Sequence, residues 1–345
     1  MQGKSVKISK KMMQNMKGLV RYTMPNSEEN KLRKSILTRI RKAKEETDHQ
    51  CLYRGCIKPS AGSHEITKSI FIEPLSLNRT KVHKLKKAFK GNVNYFEYDF
   101  DRTSDCTVFK GFCSKHDSDL FKSFENDRNF EINSAFILKQ SLRTLRREIY
   151  DLERDLHLLS KSKKTLKYFF IKYHLKVHFK RMSNLFDKIS FLIEEGVDDG
   201  LFIEKIENIP QTKVQFADVI TEYDSLRNTG DTSNTFIFVF LFYVNGQQNL
   251  ILACLGTDKK SVSRLENIKK SPFIVLNKFI LDHKEKMVLS EYFIDRLKAG
   301  KCENKFLEDT NCILNPYVPN FVSKELNSVL LFSADGKPVE VTLFD

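Results

Sequence analysis

Two stretches near the middle of the chain repeat apolar residues at steps of three to five and predict two long helices, at about 133–159 and 162–195. We expect the pair to pack as a helical hairpin over residues 131–196. Basic and acidic residues alternate along the first helix, a pattern typical of an exposed helix face; they are Arg143, Arg146, Arg147, Glu148, Asp151, Glu153 and Asp155. His174 and His178 lie four residues apart on the second helix. No carboxylate completes a ligand set there, so we expect them to be structural.

The pattern changes after a polar stretch at 228–234, which we predict to be a linker. Two apolar runs, 235–244 and 248–256, are separated by Asn245 and Gly246, a strong signal for a β-hairpin. Helical or mixed structure is expected over 260–297, and a second hairpin is predicted around Asp335 and Gly336. Residues 197–345 therefore predict an α+β domain with an antiparallel sheet. They contain no P-loop, dinucleotide-binding fingerprint or nucleophile elbow.

The first 48 residues predict a basic N-terminal arm. They contain 13 Lys or Arg against 5 acidic residues, and residues 27–46 have the pattern of an amphipathic helix that begins at Ser27. Leu32, Ile36 and Ile40 form its apolar face. Such an arm either touches phosphates or packs on a neighbouring subunit, and the sequence leaves both interpretations open.

Charge and cysteine content narrow the partners and the compartment. The 345 residues have a net charge of +14, which favours a polyanionic partner, nucleic acid first and an anionic membrane second. The alternative is a solvated basic surface that keeps a large oligomer in solution. No apolar run is long enough to span a bilayer, and the first residues lack the apolar core of a signal peptide. We therefore expect no membrane and a reducing, cytoplasmic setting, where clustered cysteines indicate metal ligands before disulfides.

Two pairs of potential metal ligands flank the most informative stretch. Cys51 and Cys56 form a C-x4-C pair around Gly55, and Cys113 and His116 form a C-x2-H pair. The second pair begins a predicted helix. Three thiolates and one imidazole make a closed tetrahedral site for structural zinc. A knuckle followed by a ligand-bearing helix is the order of a treble-clef zinc finger, which we place at residues 49–130.

This stretch resembles the HNH-type, or ββα-metal, nucleases over roughly residues 50–125. His64, in the segment Ser63–Ile66 between the two ligand pairs, matches the catalytic histidine of that family by order. The pairing of an S-H-x-I segment with an F-C-x-x-H-D segment is also similar to bacterial zinc-finger ribonucleases of anti-phage defence. The family's middle Asn is not identifiable, although Asn78, Asn92 and Asn94 are candidates. RNA is therefore favoured over DNA as the substrate.

The resemblance implies that His64 acts as the general base, since a neutral imidazole accepts a proton near neutral pH. On DNA it would activate water, with a second metal such as magnesium at the leaving oxygen. On RNA it would deprotonate the 2′-hydroxyl without that metal. Further candidates for the catalytic centre are Glu65, Lys68 and Asp117, and Asp117 either orients His116 or binds a divalent ion. The alternatives for His64 are a structural hydrogen bond and a replacement zinc ligand.

A basic segment in the middle of the predicted finger is the expected nucleic-acid contact. Its residues are Arg79, Lys81, Lys84, Lys86, Lys87 and Lys90. No acid lies among them, so we predict that they contact phosphates beside the catalytic centre. Plain solvated surface is the alternative. Tyr95, Phe96 and Tyr98 follow with strand-like alternation, and we expect them to pair in the core of the finger.

Three functions are consistent with these features. The first is a zinc-finger nuclease that acts as a toxic effector in anti-phage defence, with the helical hairpin and the C-terminal domain mediating homo-oligomer assembly and sensing a phage protein. The second is a non-catalytic zinc-finger module that binds nucleic acid or a protein partner. The third is a structural oligomer in which the finger only staples the fold.

Overall fold

The structure is a computed structural model that describes Thr38 and residues 49–90, 93–125, 127, 130–161, 166–197, 199–207, 209–223, 234–270, 272–300 and 303–307. Apart from the helical Thr38, the predicted N-terminal arm lies outside these ranges. The hairpin predicted around Asp335 and Gly336 also lies outside them, as does the predicted linker except for Asn234. Among the described helices, none has the length and apolarity needed to cross a membrane.

The described residues form a mixed α and β protein with an antiparallel sheet. The strands are β1 Gly62–His64, β2 Lys81–Lys90, β3 Val93–Arg102, β4 Val108–Lys110, β5 Leu201–Ile206, β6 Val214–Tyr223, β7 Asn234–Val244, β8 Gln247–Leu255 and β9 Val288–Leu289. The α-helices are α1 Ser114–Glu125, α2 Ser134–Ser160, α3 Leu166–Glu194, α4 Lys259–Lys270, α5 Pro272–Asp282, α6 Glu291–Ala299 and α7 Glu303–Leu307. A π-helical turn covers Lys68–Ile72, and 3-10 turns cover Glu73–Leu75 and Lys284–Lys286.

The main sheet has seven strands in the order β3-β2-β9-β6-β7-β8-β5. Its fifth and sixth strands form the predicted hairpin: β7 and β8 are joined by Asn245 and Gly246, whose φ angles of 51° and 78° are the left-handed values that this short turn requires. Phe238, Phe240 and Phe242 of β7 point into one apolar core, and the alternating residues of the strand point into another. Because both faces of the sheet are covered, β7 is apolar at every position from Phe236 to Val244 rather than at every second one.

The two cores place the helices on opposite faces of the sheet. The core around Phe240 includes Ile149 of α2 and Met182 of α3, together with buried residues of the N-terminal part such as Phe71 and Phe121. The other core includes Leu265 of α4 and Leu276 of α5. The described chain is therefore layered, with the long helical pair on one side of the sheet and the C-terminal helices on the other.

The predicted helical hairpin is confirmed as α2 and α3, but the expected exposure of the α2 charges is wrong. The side chains of Arg143 and Arg146 are only 1% and 0% exposed. Arg146 donates hydrogen bonds to the carbonyls of Gly111 (2.9 Å) and Gln50 (3.2 Å), and it pairs with Glu153. Backbone carbonyls therefore cover this part of the charged face of α2. The alternating charge pattern does not distinguish such a face from one that is exposed to water.

The sheet also recruits strands that the sequence pattern did not indicate. Strands β5 and β6 come from the polar region 196–234, and the two-residue strand β9 pairs with both β2 and β6. Through β9, the β2–β3 hairpin joins the main sheet, so the aromatic residue Phe96 packs in the core around Leu265 rather than inside the predicted finger. The knuckle, β1, β4 and α1 form a small N-terminal unit. The chain between β1 and β4 leaves this unit, forms one edge of the main sheet as β2 and β3, and returns.

Candidate metal centre and histidine site

Four potential ligands converge at the knuckle before β1 and at the start of α1. The ligand atoms of Cys51, Cys56, Cys113 and His116 all lie within 4.8 Å of one another. The His116 Nδ1 atom is 3.4 Å from Cys51 Sγ and 3.5 Å from Cys113 Sγ, and Cys56 Sγ is 3.9 Å from Cys113 Sγ. Ligands of one tetrahedral zinc ion lie roughly 3.5–3.8 Å apart. The four predicted ligands therefore fit zinc.

Local backbone geometry explains why these ligands meet. Gly55 adopts a φ of +72°, which turns the knuckle sharply, and the Cys51 N–H donates to the Lys58 carbonyl at 2.9 Å. Cys113 directly precedes α1, and its carbonyl accepts from Asp117 N–H at 2.9 Å in the first helical turn. Burial raises the pKa of the Cys113 thiol, but backbone N–H groups of the helix start and the neighbouring thiols outweigh it and lower the pKa. The helix start thus favours the thiolate, which is the form that binds a metal.

His64 is held at the end of β1 by a backbone carbonyl. Its Nδ1 atom lies 2.9 Å from the carbonyl oxygen of Cys106, and because a carbonyl can only accept, Nδ1 carries the proton. In the neutral ring Nε2 is then the lone-pair nitrogen, and it has no hydrogen-bond partner among the described residues. Burial lowers the pKa of His64, although the Cys106 carbonyl partly offsets this effect. The ring is therefore neutral at neutral pH, with a basic nitrogen available.

The carbonyl that holds His64 is followed by an unusual residue. Thr107 is buried and adopts a φ of +64°, a left-handed conformation that is strained for a β-branched side chain. Its own carbonyl accepts from Glu65 N–H at 3.1 Å. Such strain costs about 1–3 kcal/mol and is often found at functional sites. Nothing in the sequence pattern signals this position.

Three charged groups act on His64, and the sequence analysis identified only one of them. Lys68 and Arg143 lower the pKa of His64, and Glu125 at the end of α1 raises it. Arg143 is fixed between partners: it pairs with Glu125 at 2.8 Å, donates to Thr67 Oγ1 at 3.1 Å and stacks 3.7 Å above the Phe121 ring. The burial of Arg143 beneath this site was not foreseeable, because its charge pattern matched that of a solvated helix face.

The other predicted catalytic residues occupy different surroundings. Burial raises the pKa of Glu65 to about 7, with Arg147 as the strongest opposing charge, and its Oε1 atom has no hydrogen-bond partner. Lys68 is partly exposed and pairs with Glu73 at 3.4 Å. Asp117 lies 3.6 Å from Arg143. We predicted that Asp117 orients His116, but no contact between their side chains is found among the described residues.

The predicted nucleic-acid segment forms the tight turn at Arg79 and the strand β2. The segment itself contains no acidic residue, but the neighbouring strand β3 does. Lys84 is opposite Asp99, and Lys86 is opposite Glu97. The Nζ atom of Lys86 lies 3.4 Å from a carboxylate oxygen of Asp99. Arg79 has a φ of 58°, and Lys81 is exposed. The side chains of Lys87 and Lys90 lie outside the described part of the chain. Cross-strand acids thus reduce the positive field of this segment.

No protein-family model, curated protein or solved structure matches this chain. The expected relation to the HNH-type nucleases therefore stays a prediction. The candidate function depends on the geometry of the ligand cluster and of His64.

Proposed function

We propose that residues 49–125 form a zinc-stapled nuclease centre in which His64 is the general base. The single observation that supports it is the His64 ring, whose Nδ1–H is engaged by the Cys106 carbonyl and whose Nε2 is left available. The knuckle, the antiparallel pair of β1 and β4 and the ligand-bearing helix α1 occur in the order of a treble-clef finger, with β2 and β3 inserted between β1 and β4. Cys51, Cys56, Cys113 and His116 would hold a structural zinc, which folds the knuckle onto α1 and leaves no open position for substrate.

RNA is the substrate that this centre suits best. His64 Nε2 would accept the proton of a 2′-hydroxyl, O2′ would form a bond to phosphorus, and the bond from phosphorus to the 5′ oxygen would break. The products are a 2′,3′-cyclic phosphate and a 5′-hydroxyl end, whose proton His64 returns. Lys68 is 38% exposed and is the described cation near His64 that can reach a phosphate from solvent. Arg143 is buried, so it would contribute charge at a distance.

Replacement of His64 tests the proposal. His64→Ala should retain zinc and thermal stability while cleavage of labelled single-stranded RNA falls about a hundred-fold or more, the usual contribution of a general base. His174→Ala, which changes an exposed histidine on α3, is the matched control and should keep wild-type cleavage. Cleavage of RNA that persists in EDTA with zinc retained would support the 2′-hydroxyl route, whereas a requirement for added magnesium would favour the water route.

Three outcomes would overturn the assignment. Loss of zinc together with activity in His64→Ala would make His64 a ligand. Full activity in that variant would place the chemistry elsewhere, and absence of cleavage by the wild type would favour a binding module. The roles of toxic effector in defence, homo-oligomer and sensor of a phage protein remain predictions that this site does not bear on.

A further inference from the structure

We propose that a basic trough along α3, distant from the β2–β3 edge of the main sheet, binds single-stranded nucleic acid. The α3 trough consists of three adjoining cavities of about 420, 630 and 300 Å³. The first two share Lys188, Leu255 and Thr257, and the last two share Arg54 of the knuckle. The trough therefore runs from the start of α4 along α3 to the metal ligands. Its binding function does not depend on whether His64 cleaves the strand.

The charge of the trough favours a polyanion. Its basic lining residues are Arg54, Lys58, Lys115, Arg181, Lys188 and Lys260, against the two acids Asp187 and Asp258. Asp258 is already engaged, because its carboxylate accepts from Ser261 Oγ at 2.6 Å at the start of α4. In the described ranges, the lysines at 58, 115, 188 and 260 form no ion pair with a carboxylate. Arg54 pairs with Glu194 at 3.3 Å, so the uncompensated positive charge of the trough lies on these four lysines.

The apolar floor of the trough points to unpaired bases. Phe191 is 48% exposed in the middle cavity, which Leu192 and Leu255 also line, and Leu185 and Phe236 line the first cavity. A basic groove with an exposed aromatic ring is the arrangement that binds single strands, since every base offers a face for stacking. Duplexes keep their bases stacked inside and would gain only the phosphate contacts.

The length of the trough indicates a polymer rather than a mononucleotide. Arg181 and Phe191 are ten residues apart on one helix, which corresponds to about 15 Å along its axis. A nucleic-acid strand carries one phosphate per nucleotide along its whole length, so more than one phosphate can lie along α3 before the strand reaches Arg54 at the knuckle.

The trough and the β2 lysines are separate surfaces. Trough residues Phe236 and Leu255 belong to β7 and β8, whereas Lys84 and Lys86 belong to β2. In the sheet order, β8 lies four strand positions from β2. At about 4.8 Å per position, that separation is roughly 19 Å. One surface can therefore be altered without touching the other.

Fluorescence anisotropy with a labelled poly-uridine strand, and with an RNA duplex of equal length, tests the proposal in a His64→Ala background, where cleavage cannot interfere. The combined change Arg181→Gln, Lys188→Gln and Lys260→Gln should weaken binding of the strand about ten-fold or more and lower the log-log salt slope by about 2. The matched control, Lys81→Gln, Lys84→Gln and Lys86→Gln, removes the same charge from β2 and should change affinity less than two-fold. Phe191→Ala should weaken binding of the single strand about five-fold or more and leave binding of the duplex unchanged.

Other results would overturn the proposal. Equal losses in the two triple variants would indicate general surface charge, and a loss confined to the β2 control would move the interface to the hairpin. An unchanged affinity in the trough variant, or no binding by the parent protein at about 50 mM salt, would remove the trough as a binding surface. Equal effects of Phe191→Ala on strand and duplex would remove base stacking. Circular dichroism melts of each variant separate these results from misfolding.

Discussion

The small unit around the candidate metal site (the knuckle, β1, β4 and α1) and the main sheet differ in what stabilises them. Strands β1 and β4 have three residues each, and around them lie four potential metal ligands and the buried charges of Arg143 and Arg146. Strands β7 and β8 have 11 and 9 residues and are packed on both faces by apolar side chains. The apolar residues of the small unit pack only into the core around Phe240, so the unit depends on that core and on its candidate metal site, whereas the sheet is supported by a core on each face. Metal ligands and buried charges therefore contribute most of what is specific to the small unit, whereas apolar burial on both faces stabilises the sheet.

Polar contacts join the two regions. Gln215 of β6 is buried and donates to the carbonyls of Phe71 and Tyr243, both at 2.8 Å. Lys286 lies between Asp218 of β6 and Glu148 of α2. Burial raises the pKa of Asp218, but Lys286 and His283 outweigh it and hold the pKa well below its usual range. The sheet therefore fixes the helix on which the small unit rests.

The largest difference between the regions should follow removal of the metal. Cys113→Ser should abolish binding of about one zinc per chain and unfold the knuckle, β1, β4 and the start of α1, because metal binding in such sites contributes apparent free energies of about 10–16 kcal/mol. Metal analysis and amide hydrogen exchange would check this, with protection lost near β1 and kept in β7 and β8. Cys254→Ala, a core cysteine in β8, is the control and should retain the metal. Full zinc retention by Cys113→Ser would contradict the ligand assignment.

A smaller effect is expected when the small unit loses its anchor on α2. Arg146→Ala removes hydrogen bonds to Gly111 and Gln50 and the ion pair with Glu153, which then keeps His49 as its buried partner. The free energy of unfolding should fall by about 3–5 kcal/mol. Arg264→Ala breaks the more exposed pair with Glu222 and should cost no more than about 1 kcal/mol. Urea denaturation measures both. Equal costs would mean that Arg146 is not an anchor.

Part of this organisation was predictable from local pattern. Ligand spacing located the metal cluster, helical periodicity located α2 and α3, and Asn245–Gly246 located the central hairpin. The burial of Arg146 was not predictable, because a charged helix face looks the same whether backbone carbonyls or water cover it. Strand β9 has only two residues, too few for any periodicity, yet it brings the β2–β3 hairpin into the main sheet. The left-handed Thr107 depends on tertiary contacts around His64, which no local signal encodes.

The smallest effect concerns the buried carboxylate of Glu65. Its folded pKa of about 7 lies above the ordinary value of 4.5, so the protonated form stabilises the fold at low pH and this stability is lost as the pH rises through about 7. Glu65→Gln is neutral throughout, and its melting temperature should exceed that of the wild type at pH 8 but not at pH 5. The gain should not exceed about 3 kcal/mol. A difference in melting temperature that does not change with pH would contradict the raised pKa. A loss of RNA cleavage in Glu65→Gln without any change in melting temperature would favour a catalytic role.

The most direct test of the account is the state of the His64 ring in zinc-loaded protein. Long-range ¹H–¹⁵N spectra over roughly pH 5 to 8, assigned by comparison with His64→Ala, report the protonated nitrogen and the pKa. We predict a neutral ring with its proton on Nδ1 and a pKa below 6.5, because burial together with Arg143 and Lys68 outweighs the Cys106 carbonyl and Glu125. A proton on Nε2, a zinc-bound ring nitrogen or a pKa above 6.5 would contradict His64 as the free general base.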